Sequence, residues 1–67
     1  MFTLIGKLLS KRQNYVIIST EEADIKIFIP EVLMSVIDGI SNGDLICVQG
    51  TISDALHAEK LIILEEK

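Results

Sequence analysis

Lys26 and Phe28 stand two residues apart in the run Ile25-Lys26-Ile27-Phe28-Ile29. In an extended chain they share one face while the three isoleucines share the other. A cation beside an outward ring supplies a flat stacking surface and a charge for an anionic backbone. Tyr15 is the other ring free to join them, because Phe2 falls on the apolar side of its own run and the chain has no Trp. Lys7, Lys11 and Arg12 lie just ahead of Tyr15. Single-stranded nucleic acid is the ligand class that uses stacked bases and neutralised phosphates together. The candidate nucleic-acid-binding residues on strand geometry are therefore Tyr15, Lys26 and Phe28.

Other chemistry is thin. His57 is the only histidine and Cys47 the only cysteine, so neither a transition-metal site nor an intrachain disulfide is expected. No catalytic constellation can be built from single candidates. The glycines at 39, 43 and 50 form no phosphate-cradling run. The chain is thus expected not to be an enzyme and to take no cofactor. His57, between Asp54 and Glu59, reads as a solvated turn residue. Cys47, in Leu45-Ile46-Cys47-Val48, reads as a small core residue in a reduced compartment.

The elements that must position these residues follow from periodicity. Residues 2–9 read as a strand with Phe2, Leu4 and Leu8 on one side, and Gly6 marks a bend or bulge. Residues 10–14 read as a turn, and 15–19 and 25–29 as two further strands. Pro30 stops the third strand and opens a helix, with Glu31 at its positive end. Val32, Leu33, Val36, Ile37 and Ile40 give that helix an apolar stripe. The turn Ser41-Asn42-Gly43-Asp44 ends it. A fourth strand covers 45–52, with Gly50 as a second candidate bulge. Residues 53–58 read as a turn region, and 60–64 as a fifth strand.

Strand, strand, strand, helix, strand, strand is the order of an all-β, five-stranded OB-fold Greek-key barrel with one short helix between strands three and four. The whole of 1–67 forms one domain. The stretch from Ile25 to Ser53 resembles the core of nucleic-acid-binding OB domains. In these a strand enters a short helix, a turn ends in Gly-Asp, and an apolar strand ends in a polar residue and Gly, here Gln49-Gly50. The start FTLIGKLL is similar to the first strand of bacterial single-stranded-DNA-binding proteins. The same segment resembles the OB domain of bacterial replicative polymerase subunits and the anticodon-binding domains of some tRNA synthetases. The likeness covers about residues 2–65, and it implies that the first strand and first turn surround the binding face, so that Lys7, Lys11 and Arg12 join Tyr15, Lys26 and Phe28 in the candidate nucleic-acid-binding set. The connections at 10–14, 20–24 and 53–59 are shorter than the strand-covering loops usual in single-strand-binding proteins, and no acidic-tipped tail is expected.

Net charge is −4, which weighs against nucleic acid until it is divided along the chain. Residues 1–30 carry four basic against three acidic side chains, and residues 31–67 two against seven. The acidity belongs to the second half. Of the 67 residues, 49% are hydrophobic and 4% aromatic, which excludes a disordered chain. A chain this short gains only about 3–5 kcal/mol from one core, so a partner is favoured. Several strands are apolar on both faces, which points the same way. No leader or membrane span is expected, and the location is expected to be cytoplasmic.

The function these readings imply is weak, sequence-independent binding of single-stranded DNA, or RNA, by an oligomer or within a replication or recombination complex. The alternative is a structural or adaptor OB domain that docks a protein partner or its own copy.

Overall fold

The computed structural model describes residues 1–67. Its strands are β1 (Phe2–Lys11), β2 (Tyr15–Ser19), β3 (Asp24–Phe28), β4 (Leu45–Ile52) and β5 (Leu56–Glu65). Between β3 and β4 lie a 3-10 turn (Glu31–Leu33) and the helix α1 (Met34–Asp38). The sheet closes on itself in the order β1-β2-β3-β5-β4, with β4 returning to β1. All pairings are antiparallel except β3 with β5. That is the expected OB-fold barrel, with its short helix between strands three and four.

Alternation fills the inside. Leu8, Val16, Ile18, Ile27, Ile46 and Val48 are almost fully buried, one apolar residue every second position. Each such side chain contributes roughly 1.5–3 kcal/mol on burial. Ile37 and Ile40 close one end from the helical segment, with Leu33 and Met34 packed against the same core. Phe2 is half-buried there too, as its alternation required.

Several boundaries differ from the sequence expectation. The helical segment is shorter and begins as a 3-10 turn, so Val32 and Val36 of the expected stripe point outward, 80% and 38% exposed. β5 begins at Leu56 rather than residue 60, so 56–58 are strand and not turn. The expected pattern broke there because β5 is bulged: Gly50 pairs with Ala58 while Gln49 pairs with Lys60, leaving Glu59 extra. Gly50 is the glycine this bulge needs, since a Cβ there would lie 1.9 Å from the His57 carbonyl oxygen. Gly6 marks no bulge. It lets β2 come close, where a Cβ would sit 2.5 Å from the Ser19 carbonyl oxygen.

The bulge of β1 lies instead between Leu8 and Ser10. It carries β1 on to Lys11, two residues beyond the expected end. Cys47 is not a core residue: Ile46 and Val48 take the inside, and Cys47 is half-buried on the exterior. No helix is long and apolar enough to cross a membrane.

Candidate nucleic-acid interface

The outer face of β2 and β3 carries the two rings. Tyr15 and Phe28 are registered partners across the hairpin, because Val16 and Ile27 beside them occupy the interior. Their rings meet edge to face at 6.1 Å. Lys26 lies on the same face, two residues before Phe28. Its Nζ sits 4.3 Å from the Tyr15 ring centre and 4.9 Å from that of Phe28. The ammonium thus rests on both rings, a contact worth about 0.5–1 kcal/mol at an exposed position.

His57 extends the row. β3 and β5 are registered through Phe28 and His57, and the two rings stack at 5.6 Å with 23° between their planes. Three flat side chains from three strands therefore stand in line, Tyr15, Phe28 and His57. The sequence reading placed His57 in a solvated turn, because the bulge at Glu59 hides the alternation of β5. The signal that could have found it was Gly50, whose bulge requires a strand opposite.

Asp54 closes this end. Its Oδ1 lies 3.5 Å from His57 Nε2 and accepts a hydrogen bond from the Ser53 hydroxyl at 2.9 Å. The Ser53 hydroxyl first, and His57 second, hold the Asp54 carboxyl below its ordinary value. An exposed anion therefore stands at the rim of the face that carries Lys26.

No known protein-family model matches this sequence, and no characterised protein matches it.

The expected cations divide between separate places. Arg12 is the neighbour of Tyr15 along the backbone: its N–H donates to the Tyr15 carbonyl at 2.9 Å, closing the β1–β2 hairpin, and its side chain is exposed. Lys7 does not join them. It pairs with Ser19, four residues along β2 from Tyr15, about 13 Å at strand rise. Lys11 is engaged elsewhere, because the bulge after Leu8 reverses the alternation of β1 and pairs Lys11 with buried Val16. Its Nζ then reaches over the barrel end and donates to the Ile40 carbonyl at 2.7 Å. There it satisfies an acceptor just beyond α1, as cations near helix C-termini do.

At the same end, buried Asp44 ties the chain together. Its Oδ1 accepts from the Lys67 backbone N–H at 2.9 Å and its Oδ2 from the Ser41 N–H at 3.0 Å. These two bonds, that to Lys67 foremost, pull the Asp44 carboxyl below its ordinary value. The carboxylate is a structural clasp between the turn before β4 and the residues after β5. No group of three His, Cys, Asp or Glu side chains converges as a metal site.

Proposed function

We propose that this barrel binds single-stranded nucleic acid, most readily DNA, across the outer face of β2, β3 and the start of β5. What supports the reading is the row Tyr15–Phe28–His57 with Lys26 lying on its rings. Bases stack on the aromatic row as the Lys26 ammonium moves off the rings and, with Arg12, onto backbone phosphates. No hydrogen bond holds the Arg12 fork in one pose for reading a base edge, so binding is indifferent to sequence.

Affinity per barrel is low, since only a few cations take part and Asp54 opposes them. Useful occupancy comes from several copies on one strand, or from attachment to a larger replication or recombination assembly. The test is titration of a fluorescent oligonucleotide at low and high salt. Salt-sensitive binding that falls with Phe28→Ala and with Lys26→Glu is expected. A folded protein that ignores the oligonucleotide at low salt overturns the reading and favours the adaptor alternative.

A further inference from the structure

The outer face of β1, β4 and β5 carries a second surface, with no residue of β2 or β3 in it. Register places Ile5, Cys47 and Ile62 side by side across the three strands. Ile5 and Ile62 are 55% and 47% exposed. Leu45 extends this apolar strip on β4, and Leu64, 46% exposed, stands near it on β5. Toward one end the neighbouring row is Thr3, Gln49 and Lys60; toward the other, Lys7 and Glu65 flank Leu45. The strip is therefore framed by Lys60 in the middle of β5, Glu65 at the end of that strand, and Lys7 on β1.

From this arrangement we infer that the face is the contact surface for a second copy of the chain, related by a two-fold axis passing close to Cys47. A two-fold contact brings the same patch against itself, so its charges must be complementary under the rotation. This frame meets that condition for both in-plane axes. An axis running across the strands sets Lys60 of one copy against Glu65 of the other, twice. An axis along β4 sets Lys7 against Glu65, again twice. Either rotation stacks isoleucine on isoleucine and brings the two Cys47 residues together at the centre. A foreign partner has no reason to need this self-matching pattern. A chain whose single core yields little stability gains from burying such a strip. The aromatic face of each copy stays open, so the dimer presents two binding rows.

Sedimentation of the full chain, with cross-linking by a short bismaleimide, tests the inference. A species of twice the 7.4 kDa chain mass is expected. Ile62→Glu should make it monomeric with unchanged far-ultraviolet circular dichroism. Glu65→Lys should weaken it at least tenfold; adding Lys60→Glu to that variant should restore it where the axis runs across the strands, adding Lys7→Glu where it runs along β4, and restoration by neither overturns the charge match. The linker should join two chains through Cys47, and Cys47→Ser should abolish the product. A wild-type monomer at high concentration overturns the inference. So does a dimer that survives Ile62→Glu and gives no Cys47 cross-link. Oligonucleotide binding by the Ile62→Glu monomer reports separately on the aromatic face, so failure of one reading is distinguishable from failure of the other.

Discussion

Phe28 and His57 are the one registered pair through which β3 meets β5, and their rings stack on the outside of that junction. The single-pair seam between β3 and β5 is thus also the middle of the aromatic row. Closure depends on backbone pairing, whereas stacking depends on the rings, so the two roles can be separated by substitution.

Phe28→Ala keeps the β3–β5 backbone pairing but removes the central ring. Loss of one stacking platform costs about 1–3 kcal/mol, or roughly 5- to 150-fold in affinity. Fluorescence anisotropy with a labelled oligonucleotide should show that weakening. His57→Ala should weaken binding in the same direction. A retained circular dichroism spectrum confirms that the barrel persists.

Asp54→Asn removes an anion fixed at the rim by Ser53 and His57. Oligonucleotide affinity at low salt should rise several-fold, and the gain should shrink as salt screens the site. Unchanged affinity at low salt would place the phosphates away from β5.

Lys11 and Arg12 are neighbours with different duties. Lys11→Met deletes the bond to the Ile40 carbonyl, costing about 1 kcal/mol after allowance for its exposure. The melting temperature should fall by about 4–8 °C for a domain of this size. Binding should change little. Arg12→Ala should do the opposite, leaving the melting temperature near wild type and flattening the salt dependence by about one phosphate contact.

The Asp44 clasp gives stability a dependence on acid. Its carboxyl titrates lower in the folded chain than the ordinary 3.8 of the unfolded one. Its contribution is therefore fully present above that value and is lost as pH falls through the lower, folded value. Chemical denaturation at a series of pH values should show wild-type stability dropping below about pH 4. Asp44→Asn should be less stable at neutral pH and show a smaller drop.

Gly50→Ala tests the bulge that sets β5. A Cβ there meets the His57 carbonyl oxygen, a backbone atom that cannot turn aside. The variant should unfold or lose the β4–β5 pairing, in contrast to Gly39→Ala, whose nearest neighbour is 3.5 Å away. Thermal melts of the two variants side by side make the comparison.

The sequence by itself determined the barrel and two-thirds of the aromatic row. Alternation in Ile25–Ile29 is strict, so a two-residue period places Ile27 inside and Lys26 and Phe28 outside; Tyr15–Ser19 is apolar on both faces, and it is the pairing of Tyr15 with Phe28 that sets Val16 and Ile18 inside. Pro30 and the turn at 41–44 bracket the helical segment through local chemistry alone. What only the tertiary structure decided are the positions beyond a bulge. A single extra residue reverses the alternation of everything that follows it. The bulge of β1 turned Lys11 toward the Ile40 carbonyl, away from Lys7, and the bulge of β5 brought His57 onto Phe28. Bulges belong to pairs of strands, so their cause, such as Gly50 lying against the His57 carbonyl, lies between segments distant in the chain.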